Sequence, residues 1–224
     1  VPTLTETSLN QSAQVMRNLH FTLSGDADDS NGLQSLTITA TRDGSGQGEV
    51  FSTTTAGAYT YTQTVETDGT TDGEWVYTIA ASDVAGRSSE LTRSVLIDAT
   101  APDTPVIDEF TGEYAVNELV ASGSTADAGS GVQTVEYSLD GTTWTAANGT
   151  DSWYRTINIG PSGANLSEGS YSLRVRATDR AGNVSATGSR SFTVDRANPV
   201  VTVNGYAGTE YRNSNFTVDG SVSD

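Results

Sequence analysis

The residues of this sequence with the clearest chemical potential are aspartates in predicted loops. The chain has 28 acidic and 11 basic residues and a net charge of −17, and 17 of the acids are aspartate. Carboxylate oxygens are the hard ligands that Ca²⁺ prefers. Aspartate is also a common turn residue, because its side chain bonds to nearby backbone amides. Both interpretations are open for any single aspartate, so the predicted fold has to show which of them meet.

Other kinds of chemistry find little support in the sequence. There is no cysteine, and His20, the only histidine, lies in a predicted strand. A thiol nucleophile and a histidine-rich zinc site are therefore excluded. A catalytic triad would need His20, which has no nucleophile-elbow motif near it. We expect no enzymatic activity.

The charge and hydropathy of the chain also limit its partners. All 11 basic residues are arginine, and acids outnumber them by more than two to one. Such a surface repels nucleic acid phosphates and anionic lipid head groups. The sequence has no apolar run of about 18 residues, the length that a membrane-spanning helix needs. We therefore expect neither nucleic acid binding nor membrane insertion within this segment.

Strand patterns dominate the sequence and predict an all-β fold. Alternating apolar residues and β-branched or aromatic runs are separated by Gly, Asn, Asp and Ser at intervals of about 8–12 residues, as in β-sandwiches. Seven strands are predicted in the first half, at 2–6, 18–24, 34–41, 48–53, 58–66, 74–82 and 90–97. Seven more are predicted in the second half, at 104–109, 117–122, 132–138, 143–146, 152–158, 169–178 and 187–195. This count is typical of an immunoglobulin-like sandwich.

A repeat of domain size organises the chain. The segment Gly73–Pro102 recurs as Gly169–Pro199, and its two aspartates, Asp83 and Asp98, recur with it. We predict an Ig-like module 1 at 1–98, a linker at 99–103, an Ig-like module 2 at 104–195, a linker at 196–199 and the incomplete start of a third module at 200–224. Repetition of a whole module favours reach or presentation over a single catalytic site. Each linker is short and ends in proline, which fixes φ and predicts a stiff array.

Topology predicts which aspartates meet. If the seven strands A to G alternate in direction, the linker enters module 2 at the pole that also carries its B–C and F–G loops. The linker supplies Asp98 and Asp103, the B–C loop supplies Asp127, and the F–G loop supplies Asp179. Carboxylates converging on one pole repel each other unless a cation neutralises them, and Ca²⁺ with six to eight oxygen ligands would do so.

Two further poles repeat this acidic pattern. Asp195 and Asp224 lie at the second predicted junction. Asp26, Asp28, Asp29 and Asp83 lie at the N-terminal pole of module 1. We count Ca²⁺ as the expected cofactor at these poles, and the aspartates remain ordinary turn residues in the alternative interpretation.

The ordered set of motifs resembles a known family. The loop "SGSTADAGSG", the hairpin "ATDRAGN" and the final strands "LIDATAP" and "FTVDRANP" are similar to the tandem bacterial immunoglobulin-like repeats of giant surface adhesins and biofilm-associated proteins. The resemblance covers both modules and the start of the third. It implies an extracellular, non-enzymatic, extended array on the bacterial surface, often stiffened by calcium at module junctions. Module 1 departs from the pattern, because Arg87 stands where module 2 has Asn183.

Two other functions remain open. Trp144 and Trp153 flank a turn in module 2, and exposed tryptophans would suit a surface glycan or protein ligand. Residues 200–224 could instead donate strands to a neighbour and assemble an extracellular filament. The leading interpretation is a stalk segment of a large adhesin, whose partners are the neighbouring modules of the same chain.

Overall fold

The computed structural model describes residues 1–9, 15–111, 114–204 and 211–224, and in these residues all regular structure is β-strand. Within these described residues, the first repeat has eight strands, one more than predicted. They are β1 (Thr3–Glu6), β2 (Val15–Arg17), β3 (Phe21–Asp28), β4 (Leu33–Arg42), β5 (Ser45–Thr53), β6 (Gly57–Gln63), β7 (Gly73–Asp83) and β8 (Ser88–Ile97).

These strands form two sheets. One has the order β1-β3-β6 and the other the order β2-β8-β7-β4-β5. The long strands pair antiparallel, whereas the short strand β2 lies parallel to its neighbour β8. This arrangement confirms the predicted all-β, Ig-like sandwich.

Alternation of side chains builds the core between the sheets. Along β7 every second residue is buried, beginning with Trp75 and Tyr77 and ending with Asp83. Ile38 on β4 and Ile79 on β7 face each other across the ladder, and both are completely buried. Burying a side chain of this size stabilises the fold by about 1.5–3 kcal/mol. Because Asp83 belongs to the same inward row, its carboxylate is buried as well.

A crossing between the sheets separates β1 from β2. At the end of β1, one carboxylate oxygen of Glu6 accepts hydrogen bonds from Ser8, its hydroxyl included, and from the amide of Leu9, and the other lies 2.7 Å from Arg93 Nε. Burial tends to raise the pKa of Glu6, but the hydrogen bonds from Ser8 and Arg93 outweigh it, so this pKa is lowered. This part-buried ion pair thus ties the end of β1 to β8.

The second repeat follows the same plan. Its strands are β9 (Val106–Ile107), β10 (Tyr114–Ala115), β11 (Glu118–Ser124), β12 (Val132–Ser138), β13 (Thr145–Ala146), β14 (Asn148–Gly149), β15 (Ser152–Asn158), β16 (Gly169–Asp179) and β17 (Gly188–Val194). Their hydrogen-bonded orders are β10-β17-β16-β12-β13 and β14-β15-β11-β9. The short strand β10 is parallel to β17, as β2 is to β8.

By spatial contacts the chain forms two compact units. The first comprises Val1–Asp108, Ser122–Arg155 and Leu173–Arg190, and the second Glu109–Ala121, Thr156–Ser172 and Ser191–Asp224. Several strands of the second repeat continue from one unit into the other. The predicted module and linker boundaries stay a prediction.

The second unit is held by its own contacts. Phe192 stacks on Tyr171 with ring centroids 5.8 Å apart. The guanidinium of Arg196 donates to the carbonyls of Val116, at 2.7 Å, of Ile159, at 2.9 Å, and of Leu166. The last two strands, β18 (Val200–Asn204) and β19 (Asp219–Ser223), pair antiparallel, and every residue in them is exposed.

Candidate metal centre

The hairpin between β16 and β17 fixes the first carboxylate of the candidate centre. Asp179 ends β16 on its inward face and is completely buried. Its Oδ1 accepts the backbone amides of Gly182 at 2.6 Å and Asn183 at 2.8 Å. Gly182 has φ of 100°, a backbone conformation that glycine adopts without strain. The aspartate therefore organises its own turn, as its sequence context predicts.

Asp98, at the end of the first repeat, provides the second carboxylate. It follows β8 directly and is also completely buried. Its Oδ2 accepts the amide of Ser130 at 2.6 Å, and its Oδ1 accepts that of Thr100 at 3.3 Å. A Cβ on Gly129 would lie within 2.5 Å of both oxygens of Asp98. Glycine at 129 is therefore what lets the carboxylate reach the loop between β11 and β12.

That loop supplies the third carboxylate, from Asp127. Its Oδ2 accepts the amide of Gly131 at 2.6 Å. Burial raises the pKa of Asp127, and the negative charges of Asp98 and Asp179 raise it further, against the opposing hydrogen bond from Gly131. The surroundings of Asp127 thus disfavour the ionised form of its own carboxyl group.

Asp98, Asp127 and Asp179 together form a group that fits a cation. One oxygen from each carboxylate lies within 4.8 Å of the others. Among the described residues, no ion pair neutralises any of the three. Each carboxylate has about four lone-pair positions and uses only some of them on backbone amides. Three hard oxygen donors with uncompensated charge suit Ca²⁺ better than softer metals.

An open groove leads to one side of this group. It has a volume of about 490 Å³, and Asp98 and Gly129 line it together with three other acids, Asp43, Asp72 and Glu74. The acidic lining favours the approach of a cation.

Within the described residues, the structure gathers three of the ten aspartates that the sequence places at the three acidic poles. Asp103 is exposed, and its backbone, rather than its carboxylate, bonds to the neighbouring loop, with its amide 2.8 Å from the carbonyl of Ala126. Asp195 is half-buried and accepts the amide of Ala197 at 3.0 Å, and Asp224 is exposed. In the part of the chain that the structure describes, none of these three joins a cluster of metal-ligating side chains.

The N-terminal pole of the first repeat is neutralised in another way. Asp26 and Asp28 are exposed on β3, where they pair with Thr5 and Thr3 of β1, and they do not meet Asp83 in a ligand cluster within the described ranges. Asp83 is bound by Arg87 instead, whose Nε lies 2.6 Å from Asp83 Oδ2.

The electrostatics of Asp83 follow from this pairing. Burial acts to raise the pKa of Asp83, but hydrogen bonds from Arg87 and Ala85 outweigh it and hold this pKa below its usual range. The guanidinium of Arg87 also lies 4.0 Å from Asp29. An arginine thus provides at this pole the positive charge that the Asp98 group lacks.

Two residues that bond to the linker, Asp72 and Asn183, were not predicted from the sequence to do so. Asp72 accepts the amide of Ala99 at 2.8 Å and the hydroxyl of Thr100 at 2.6 Å. Asn183 donates through Nδ2 to the carbonyls of Asp98 at 2.9 Å and Thr100 at 3.2 Å. In the sequence, the contrast between Arg87 and Asn183 was the only sign that Asn183 has a particular role, and there was no such sign for Asp72.

The tryptophans give little surface for a ligand. Trp153 is 1% exposed and belongs to the core of the second repeat, because it lies on the inward face of β15. Trp144 is half-buried, with the guanidinium of Arg176 4.2 Å from its ring centroid. The possibility that both tryptophans are exposed to bind a surface ligand is therefore wrong for Trp153.

The two-sheet architecture defines an Ig-like β-sandwich. Residues 120–196 match the family model of the bacterial Ig-like domain, which confirms for that segment the resemblance inferred from its motifs. A comparison with curated protein sequences gives no match. Within the described residues, no helix has the length and apolar character needed to cross a membrane.

Solved structures with the same kind of fold come from several proteins. Domains A168–A170 of titin are 16% identical, with a TM-score of 0.53, over 87% of this chain and 66% of that one. A bacterial ice-binding adhesin is 19% identical, with a TM-score of 0.43, over 91% and 68%. A tetra-tandem repeat from the extending region of a large adhesion protein is 23% identical, with a TM-score of 0.37, over 84% and 48%. At these identities, the titin match shows the fold alone.

Proposed function

We propose that this chain is an extracellular stalk segment of a large bacterial adhesin, which holds a distal binding region away from the cell surface. Two observations support this role. A bacterial Ig-like domain is matched at residues 120–196, and the same strand plan, including the short parallel strand, occurs in both repeats. Repeated sandwiches provide length without needing a separate catalytic or binding site in each.

We further propose that Ca²⁺ stiffens the junction between the repeats. This proposal is supported by the parts of the chain that supply the three carboxylates. Asp98 ends the first repeat, whereas Asp127 lies on a loop of the second and Asp179 ends its strand β16, and oxygens of the three converge within 4.8 Å. A cation held by all three would cross-link the end of one repeat to the start of the next. It would also offset the repulsion from Asp98 and Asp179, which adds to the effect of burial in raising the pKa of Asp127.

The test is thermal unfolding of the whole chain in excess Ca²⁺ and in excess chelator, at fixed ionic strength. A ligand that binds only the folded state stabilises it by about 2.7 kcal/mol at a concentration one hundred times its Kd. We expect a rise of several degrees with Ca²⁺ that Mg²⁺ does not produce, because Mg²⁺ needs a stricter octahedral site.

Matched variants locate the effect. Asp127→Asn should abolish the Ca²⁺-induced rise, since one of the three carboxylates loses its charge. Asp103→Asn should retain it, because that side chain is exposed and lies outside the cluster. Equal midpoints of the parent chain with Ca²⁺ and with chelator would disprove calcium stiffening and leave a stalk without metal.

A second candidate function, filament assembly, is favoured by the hairpin of β18 and β19. Two of its valines, Val201 and Val222, are each 69% exposed, and its outer edges can pair with another strand. Deleting residues 200–224 should then abolish concentration-dependent assembly in sedimentation velocity. A parent chain that stays monomeric at all concentrations would rule this candidate out.

A further inference from the structure

We propose that Asn183 latches the linker to the second repeat and keeps the junction ordered without metal. This inference rests on the proposed stalk function, because it concerns what stiffens the same junction. It assigns the stiffness in part to one amide side chain, which neither the family match nor the carboxylate cluster identifies.

The amide of Asn183 connects three segments of the chain. Its Nδ2 lies 2.9 Å from the carbonyl of Asp98 and 3.2 Å from that of Thr100, and 2.7 Å from Asp179 Oδ2. Its Oδ1 accepts from Asn18 Nδ2 at 3.2 Å. Three acceptors share two amide hydrogens, so at least one hydrogen bond is bifurcated. The hairpin of the second repeat is thereby joined to the linker and to the segment after β2.

The linker is held from its other side by the first repeat. Asp72 accepts the amide of Ala99 and the hydroxyl of Thr100. The amide of Ala99 and the hydroxyl of Thr100 thus bond to the first repeat, and the carbonyls of Asp98 and Thr100 bond to the second. A linker whose polar groups are bonded on both sides loses the freedom expected of a chain in water.

A comparison of the two repeats shows why asparagine stands at 183. In both hairpins the aspartate Oδ1 accepts the backbone amide of this position, at 2.9 Å for Arg87 and 2.8 Å for Asn183. In both, the aspartate Oδ2 accepts a side-chain nitrogen, Nε of Arg87 at 2.6 Å or Nδ2 of Asn183 at 2.7 Å. Arginine neutralises its aspartate by this contact. Asparagine is neutral, leaves the charge of Asp179 unpaired, and extends its second hydrogen to the linker.

Spin labels can test the latch, because the chain has no cysteine of its own. We would place cysteines at Ser52 and Gln133, exposed residues on β5 and β12, and measure the distribution of label distances by pulsed EPR. All measurements use the 224-residue chain, first in chelator and then in Ca²⁺.

With the latch in place, the parent chain should give one narrow distance distribution in chelator. In Asn183→Ala the ratio of disordered to ordered junctions should rise about tenfold, the effect of losing one or two ordinary hydrogen bonds. Asn18→Ala removes one bond to the latch outside the hairpin, so it should give a smaller broadening even if Asn183→Ala folds poorly. Arg87→Ala is the matched control, and it should leave the distribution unchanged because Arg87 occupies the equivalent position at the other pole.

The outcomes separate this inference from the function on which it rests. Equal narrow distributions for the parent chain, Asn183→Ala and Asn18→Ala in chelator would overturn the latch and leave the stiff stalk intact. A parent distribution that is broad in both conditions would overturn the stiff stalk itself. A distribution that is broad in chelator and narrows only with Ca²⁺ would also overturn the latch, since the metal alone would then supply the order.

Discussion

Gly129 gives the sharpest test of how the two repeats meet. A Cβ at this position would lie within 2.5 Å of both carboxylate oxygens of Asp98, and the glycine itself does not have positive φ. Gly129→Ala therefore tests the space around the carboxylate rather than the backbone conformation. The methyl group must displace either the loop or Asp98, which is completely buried and bonded to Ser130 at 2.6 Å.

The size of the effect follows from the bond that is lost. A hydrogen bond to a charged group contributes about 1.5–3 kcal/mol, and the displaced carboxylate also leaves its buried position. Removing a glycine opposes this loss by roughly 0.4–1 kcal/mol, because the unfolded chain loses entropy. We expect a net destabilisation of about 2 kcal/mol, which for a domain of about 100 residues lowers the Tm by roughly 8–16 °C.

Gly46→Ala is the matched control. Gly46 lies on β5 and also lacks positive φ, and a Cβ there would meet no atom within 4 Å beyond its chain neighbours. The same substitution should there be neutral or slightly stabilising. Calorimetry of both variants in chelator would decide the matter. A Tm of Gly129→Ala equal to that of Gly46→Ala would refute the close packing of loop 125–131 on Asp98.

Three other perturbations have expected outcomes. Asp127→Asn should raise the free energy of unfolding in chelator at neutral pH. The folded pKa of Asp127 is raised, so the protonated side chain is the form that stabilises the fold. This contribution to stability is complete only below the unfolded pKa of about 3.9 and is lost as pH rises through the folded value. A denaturant midpoint of Asp127→Asn in chelator at pH 7 that is no higher than the parent's would contradict this. Glu6→Gln should destabilise the first repeat by about 2 kcal/mol, since it removes the charged acceptor of a part-buried ion pair. The folded pKa of Glu6 is lowered, so the greater stability of the parent is present above an unfolded pKa of about 4.3 and falls as pH drops through the folded value. Urea titrations from pH 7 to 3 should show the midpoints of the parent and of Glu6→Gln converging. A constant difference between the two midpoints would contradict this role of Glu6. His20→Phe should cost about 1 kcal/mol, because the Val65 amide donates to His20 Nδ1 at 2.8 Å; faster hydrogen exchange at Val65 would accompany the loss, and unchanged exchange would exclude that bond in solution.

Local patterns predicted the long strands well. The predicted strands 132–138 and 152–158 coincide with β12 and β15, because both are rich in β-branched and aromatic residues. In β15, exposed positions also alternate with more buried ones. The short strands β2 and β10 were not predicted. They have three and two residues, too few to show a period, and only their parallel partners define them.

The candidate site was predicted less completely, because a shared pole does not fix side-chain direction. The predicted strand 18–24 ended at Ser24, but β3 continues to Asp28 with Ala27 buried between two exposed aspartates. Asp26 and Asp28 therefore project from the outer face of a strand, away from Asp83. Asp98 and Asp179 were predicted as ligands and do converge, because both end strands on their inward rows.

The parallel pairing of β2 with β8 has a mechanical consequence. Val15, Met16 and Arg17 pair with Val95, Leu96 and Ile97, and the amide of Asp98 continues the ladder to the carbonyl of Arg17 at 2.9 Å. Tension along the polypeptide enters the sandwich near its first strands and leaves through β8. It therefore pulls these two parallel strands in opposite directions and loads their hydrogen bonds in shear, all at once. Rupture must then break the bonds together rather than unzip them singly, and β10 with β17 repeats this geometry in the second repeat.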